Sequence, residues 1–447
     1  MRDLTVGPVR KHLLAMAAPI AAGMLMQTLY YLVDLYFVGR LGDAALAGVG
    51  AAGNVMMVVV ALTQVLGVGT VALIAQAVGR KDAADANLVF NQSLLMAAGC
   101  AAFTIFGGYA VAGAYMRAVG ADAATAEAGT TYLYWFLPGL ALQFALVSMG
   151  SALRGTGIVK PTMVVQMITV LLNVVLAPVL IAGWGTGHPL GVAGAGLAST
   201  ISIACGVVVL LLYFQRLEKY VAVHADQWQP RFATWRRVLG IGLPAGGEFL
   251  LMFVIMAVVY VVIRGFGPDA QAGFGVGSRL MQAILMPAMA LAFAVAPVAG
   301  QNFGAQHHDR VRETFRSAAI MSSVLMAALT LFCHWRPELL VSGFASDAGV
   351  VSVGAEYLRI VSWNFIASGL IFCCSGMFQA LGDTVPSLAS SATRLVTFVV
   401  PATWLSSHPD LELQHVWLLS VTSVALQAAI SLWLLSVVMR RRLRPGT

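Results

Sequence analysis

Residues 241–263 read IGLPAGGEFLLMFVIMAVVYVVI, with a single charge, Glu248, in the whole run. Wound as a helix, it presents no polar face. A surface helix of a soluble protein keeps one, and a membrane barrel strand alternates over about ten residues. This stretch does neither, and its length suits the roughly 20 residues a helix needs to cross a hydrocarbon core of about 30 Å. The reading predicts a transmembrane helix, and Val416 to Met439 carries the same signature.

Outward from that run, the pattern predicts about twelve spans, at 12–39, 51–78, 89–113, 130–153, 161–183, 192–215, 238–263, 275–303, 315–335, 355–378, 385–406 and 416–439. The composition agrees: 59% of the residues are hydrophobic and 10% charged, where soluble domains average about 25% charged. The fold class expected is an all-α integral membrane protein with the lipid bilayer as its solvent. The first apolar run is too long for a signal-peptide core and is expected to remain as the first span.

The net charge of +7 does not form a basic stripe interleaved with aromatics, so nucleic acid is not an expected partner. The basic residues flank helix ends instead. With the N-terminus placed inside, 19 of the 26 Lys and Arg fall on the cytoplasmic side, Arg440, Arg441, Arg442 and Arg444 among them, and six outside, with Arg394 left within a span. That bias predicts a multi-pass protein with both termini in the cytoplasm. The five cysteines lie in apolar stretches without CxxC spacing and read as small hydrophobes.

A repeat with a constant offset of 225 residues runs through the chain. Pro19 matches Pro244; Gly42, Ala45, Ala47, Gly48 and Gly50 match Gly267, Ala270, Ala272, Gly273 and Gly275; Gln76 and Gly79 match Gln301 and Gly304; Tyr132 matches Tyr357; Gly157 and Pro161 match Gly382 and Pro386. Each copy holds six spans, so the copies face the same way and are related by a pseudo-twofold axis along the membrane normal. The domains expected are a six-helix lobe at 1–216, a cytoplasmic linker at 217–237 and a second six-helix lobe at 238–447. The end of the linker, Phe232 to Arg237, reads either as a short amphipathic surface piece or as plain connector.

Two acidic residues fall deep in spans, Asp34 and Glu248. Ionisable groups at such depth are costly and mark sites that bind or relay charge. Asp34 lies among Gln27, Thr28, Tyr30, Tyr31 and Tyr36, as a candidate for proton exchange or for holding a small cation. Gln27, Tyr31 and Tyr36 are candidates to line a substrate path. Glu248 and Arg394 reach similar depth on helices running the same way, which predicts a buried pair that either stabilises the second lobe or gates it. No HExxH, GxSxG or GxxxxGK[ST] pattern is present, so neither an enzyme, a metal centre nor an ATP-driven pump is expected.

The AAPI segment around Pro19, FVGRLGDAALAGVG at 37–50, AQAVGRKD at 75–82 with its partner GQNFGAQ at 300–306, and GTGIVKP at 155–161 together resemble the multidrug and toxic compound extrusion (MATE) transporters along nearly the whole chain. The resemblance implies alternating access and export of organic cations and drugs in exchange for protons or sodium ions. It also matches Asp34 to the helix 1 carboxylate of the family's N-lobe site, Asn173 to the helix 5 asparagine, and Ser199 to a position where many members have threonine. The sequence departs from the pattern at Ala177, where many members carry an aspartate before the proline, and at Met252, where members with a C-lobe site carry a glutamate. Glu248 stands one turn earlier on the same face as Met252. Loss of the second carboxylate favours protons over sodium, because a hard cation takes several oxygen ligands.

The function expected is therefore a secondary multidrug antiporter of the bacterial inner membrane, a monomer without cofactor, whose partners are small organic cations or drugs. The competing reading is a flippase for a lipid-linked precursor. A basic cavity would favour it, and Arg394 is the one deep basic residue that the sequence offers.

Overall fold

The computed structural model describes residues 1–408 and 410–443; Arg444, placed above on the cytoplasmic side, lies outside them. Among the described residues there is no strand. The helices are α1 (Val9–Gly39), α2 (Asp43–Gly79), α3 (Ala83–Val119), α4 (Ala123–Gly155), α5 (Lys160–Ala182), α6 (Val192–Arg216), α7 (Phe232–Ile263), α8 (Pro268–Gly304), α9 (His308–Trp335), α10 (Pro337–Ser342), α11 (Ala348–Val361), α12 (Asn364–Ala380), α13 (Val385–Arg394), α14 (Val400–Leu405) and α15 (Leu413–Arg442). Ten of the described helices are long and apolar enough to cross a membrane, and α11 and α12 together, taken as one broken span, reach that length too. The expected span 385–406 is helical from Val385 to Leu405, with a π-helical turn, Leu395–Val399, between α13 and α14.

The expected span 355–378 is not one straight helix: α11 and α12 meet at 59°. No proline causes the bend. At the break, Ser362 donates to the Arg359 carbonyl at 3.1 Å and lies 3.1 Å from His334 Nδ1, while Thr330 donates to the Ser362 carbonyl at 3.0 Å. Side chains that take over ladder groups in this way bend helices.

The repeat is written into the turns as well as the spans. Among the described residues Lys81 and Gln306 are the two non-glycines with left-handed backbone, at φ of 58° and 60°, and they are 225 apart. Both close a helix alike: Asp82 N–H bonds the Ala77 carbonyl and His307 N–H the Asn302 carbonyl, each at 2.9 Å. Gly42 and Gly267, then Gly157 and Gly382, are also positive-φ pairs at that offset.

The chain forms two compact units, one of Met1–Asp3 with Ala18–Gly242, the other of Leu4–Ala17 with the chain from Leu243 onward. In the first, α4 packs on α2, α3 and α6, and α6 carries α5. The start of α7 crosses α2 with backbone almost touching backbone: an added Cβ on Gly69 would meet the Val238 carbonyl, and one on Gly242 the Val65 carbonyl. Small residues permit such crossings in lipid, where packing rather than apolar burial holds helices together. In the second unit α8 is central, packing on α9, α11 and α12, and α12 and α13 carry α15. The N-terminal stretch of chain is held there by the GQNFGAQ segment and by Arg310 of α9: Leu4 N–H donates to Gln301 Oε1 at 3.0 Å, and Arg310 Nη2 donates to the Gly7 carbonyl at 2.9 Å.

Phe232 to Arg237 is the first part of α7, not a separate surface piece. The preceding linker is anchored on α3 by three side-chain amides. Asn87 donates to the Tyr220 carbonyl and accepts from Ala222 N–H, both at 2.8 Å. Asn91 donates to the Ala222 carbonyl at 2.9 Å and accepts from His224 N–H at 2.8 Å. Gln92 donates to the Gln227 and Gln229 carbonyls and accepts from Arg231 N–H and Trp235 Nε1. These amides do for the linker backbone what a neighbouring strand would do. Below them Arg237 forks onto Asp85 at 2.8 and 2.9 Å. Asn91→Leu strands several of these groups, each worth about 1 kcal/mol or more. Trypsin is therefore expected to cut the linker about tenfold faster or more in that variant; an unchanged rate would mean that the amides do not hold the segment.

Candidate functional site

On α1, Tyr30 and Tyr31 each stand three or four residues from both Gln27 and Asp34, so the four share a face. Asp34 is only 7% exposed. The Tyr132 hydroxyl of α4 donates to Asp34 Oδ2 at 3.5 Å, and Oδ1 has no partner. Tyr30, beside Asp34 and Ser199, leaves its own hydroxyl unpaired. Among the described residues no basic side chain pairs with Asp34. A carboxylate in this setting lacks the counter-charge that buried acids otherwise find.

Asn173 on α5 and Ser199 on α6 are both fully buried. Both amide atoms of Asn173 and the Ser199 hydroxyl are unpartnered, and no hydrogen bond joins either residue to Asp34. Beside Asp34, whose Oδ1 is unpartnered, the hydroxyls of Tyr30 and of its neighbour Ser199 are also left without a hydrogen bond. Oxygen donors with a single carboxylate can hold a proton or a weakly bound hard cation. Among the described residues no three His, Cys, Asp or Glu side chains gather to hold a metal.

An open cleft lies in the same unit, lined by Gln27, Tyr30, Tyr31, Phe136, Gln143, Gln166 and Thr169 among others. Its lining mixes aromatic rings with neutral amides, the combination small-molecule sites use. Gln27 Nε2 donates to the Tyr31 hydroxyl at 3.4 Å, and the Tyr30 and Tyr31 rings meet edge-on at 5.6 Å. Tyr36 stands apart, 59% exposed, with the Arg40 guanidinium 5.2 Å over its ring.

In the second unit Glu248 does not pair with Arg394; that expectation is overturned. Ser387 and Ser391, one turn apart on α13, aim their hydroxyls at α7 and donate to Glu248 at 2.8 and 3.2 Å, and Ser375 of α12 donates at 3.3 Å. Gln427 Nε2 donates in turn to Ser391 Oγ at 3.1 Å, and Ser390 bonds Ser431 behind it. Three residues past Ser391, Arg394 sits over the Phe398 ring instead, 5.8 Å from its centroid. Met252, 45% exposed, takes no part in the serine cradle.

With this geometry in hand, the comparisons with known proteins give the class. The MatE family model matches residues 19–179 and 244–405, one match on each copy of the repeat. The chain belongs to the MATE family of multidrug efflux transporters: it is a transporter and not an enzyme, and the family requires no cofactor. The multidrug export protein MepA of Staphylococcus aureus (strain NCTC 8325 / PS 47) is 25% identical over 383 residues, covering 84% of this chain and 82% of MepA. The FAD transporter of Shewanella oneidensis is 23% identical over 415 residues, covering 91% of this chain and 90% of the relative. A crystal structure of MATE in complex with MaL6 has the same fold, with a TM-score of 0.92 at 24% identity and 98% of each chain covered.

Several site residues escape a reading of the sequence. Tyr132 appears there only as a marker of the repeat, and Gln143 and Gln166 are single amides in apolar runs. The serines around Glu248 leave a signal: SLASSATR at 387–394 is too polar for a lipid-facing turn.

Proposed function

We propose that the chain exports organic cations in exchange for protons, with Asp34 as the coupling carboxylate, as a monomer of the bacterial inner membrane with both termini in the cytoplasm. One observation carries this reading: Asp34 is a buried acid without a basic partner, one helical turn from Tyr30 and Tyr31, which line a cleft of aromatic rings and amides. An ionised Asp34 attracts a cationic amphiphile whose rings pack on Tyr30, Tyr31 and Phe136. A proton taken up from outside cancels the charge and releases the cargo. The two ligands exclude one another, which is the condition for exchange. Ala177, where a second carboxylate would serve sodium, supports the proton.

The test uses purified protein in liposomes loaded with a fluorescent monovalent cation, with proton and sodium gradients imposed separately. A proton gradient is expected to drive uphill movement and a sodium gradient is not. Movement driven by sodium alone would overturn the choice of ion. A wild-type protein that moves no dye on either gradient would overturn the exporter reading and return the flippase.

A further inference from the structure

The break between α11 and α12 has a titratable side chain built into it. His334, in the last turn of α9, sets its Nδ1 3.0 Å from the Thr330 carbonyl and 3.1 Å from the Ser362 hydroxyl, and its ring meets that of Trp363 at 4.8 Å. A carbonyl only accepts, so Nδ1 carries a hydrogen in this geometry, and Ser362 gives its own to the Arg359 carbonyl. In a straight helix that carbonyl would take Trp363 N–H, which here turns to the Ile360 carbonyl at 3.4 Å. The imidazole thus fixes where the Ser362 hydroxyl points, and the hydroxyl replaces the missing rung.

The first copy of the repeat treats the same place differently. At the offset of 225, His334 corresponds to Tyr109, Arg359 to Tyr134, Ser362 to Leu137 and Trp363 to Pro138. Pro138 has no N–H to give, and the Tyr109 hydroxyl donates to the Tyr134 carbonyl at 2.7 Å in its stead. Yet α4 runs unbroken through Pro138. Both copies therefore use one position on their third helix to serve one carbonyl of the fourth. The first does it directly with a phenol; the second does it through a serine with an imidazole, the side-chain type whose charge changes between about pH 5 and 8.

We propose that His334 is a proton-operated brace on the α11–α12 break. With hydrogens on both nitrogens the ring donates from Nδ1 at all times, the Ser362 hydroxyl stays on the Arg359 carbonyl, and the break is held. In the neutral ring the hydrogen can sit on Nε2 instead. Nδ1 then accepts from Ser362, the Arg359 carbonyl is free for Trp363 N–H, and the two helices straighten. Proton and bent form favour each other, so acid tightens the break and a rise in pH loosens it. Nε2 has no hydrogen-bond partner among the described residues, which leaves it to gain the proton. The charged groups toward this end of the packed elements are Arg336 after α9, Asp269 and Arg279 on α8, Glu338 on α10, and Glu356 and Arg359 on α11. α12 has only the thiols Cys373 and Cys374. Glu338 and Arg359 pair with each other at 2.7 Å, and none of these groups bonds the imidazole. With the termini in the cytoplasm, as proposed above, this end of α9 faces outside, and the brace reads the outer pH. It belongs to the second unit and works whatever the cargo or the coupling ion.

The full chain is placed in phosphatidylcholine nanodiscs with spin labels at Ser352 and Gln379, each attached through a ketone-bearing amino acid so that the native cysteines stay. The distance between the labels is measured by pulsed electron resonance at about pH 5 and about pH 8. Opening the 59° break to a straight helix would lengthen it by about 5 Å, at a rise of about 1.5 Å per residue. Wild type is expected to be short in acid and to lengthen toward that limit at the higher pH. His334→Gln and His334→Tyr, the second supplying the residue type of the first copy, are each expected to give one distance at both. Trp363 emission, taken as wild type minus Trp363→Phe, is expected to change in the same step, because that indole touches the titrating ring. A wild-type distance that ignores pH, that lengthens in acid, or that changes equally in His334→Gln overturns the proposal. So does a distance change without a step in Trp363 emission, which would put the proton elsewhere.

Discussion

Asp34→Asn is expected to reduce uphill dye efflux to the passive level, with the protein still folded and present in the membrane. Asparagine has nearly the shape of aspartate and can still accept from the Tyr132 hydroxyl, which lies 3.5 Å from the carboxylate. What it cannot do is change its charge. If one proton exchanges for one monovalent cation, the cycle is electroneutral, and a gradient of one pH unit sustains a dye ratio of up to about tenfold, since one unit is about 1.4 kcal/mol. Wild type is expected to approach that ratio and the variant to stay near one. Asp34→Glu, which keeps the acid on a longer stem, is expected to recover part of the ratio. A variant Asp34→Asn that holds the wild-type ratio would move coupling elsewhere, with Glu248 and its serine cradle next to be tested.

The second large effect is expected from a single methyl group. At Gly242 an added Cβ would collide with the Val65 carbonyl of α2, an atom that cannot move aside as a side-chain end can. At Gly240, two residues earlier on the same helix, an added Cβ meets nothing within 4 Å. Gly242→Ala should cost about 1–3 kcal/mol through overpacking and lower both the yield of monodisperse protein and its Tm in detergent. Gly240→Ala should be neutral or slightly stabilising, because alanine narrows the unfolded ensemble. Equal Tm values for the two variants would mean that the α2–α7 crossing is not as close as described.

How much of this was legible beforehand depended on the physics each feature obeys. Spans and repeat are one-dimensional signals, set by the thickness of lipid and by duplication, and ten of the expected spans appear as single helices. The break at Ser362 was not legible, because it comes from hydroxyls that any transmembrane helix can carry harmlessly. Asp34 was visible because charge in an apolar run is rare. Tyr132 was not, because a tyrosine acquires meaning only when folding sets it beside an acid. Glu248 and Arg394 show the limit of arguments from depth. Both lie at mid-span, but the rotation of α13 gives Glu248 two serines and sends Arg394 three residues onward to Phe398.

The make-up of the two units bears on how the chain is born. A ribosome that has finished α6 has not yet produced 232–242, the segment whose glycine crossing completes the first unit. It produced Leu4 at the outset, yet Gln301 and Arg310, which hold that end of the chain, emerge some three hundred residues later. The first half is thus unfinished when its own six spans have entered the bilayer, and the second must collect a piece made long before it. Insertion and assembly are therefore separate events, and a gene cut in the linker at 217–231 would yield two fragments that mature only when made together.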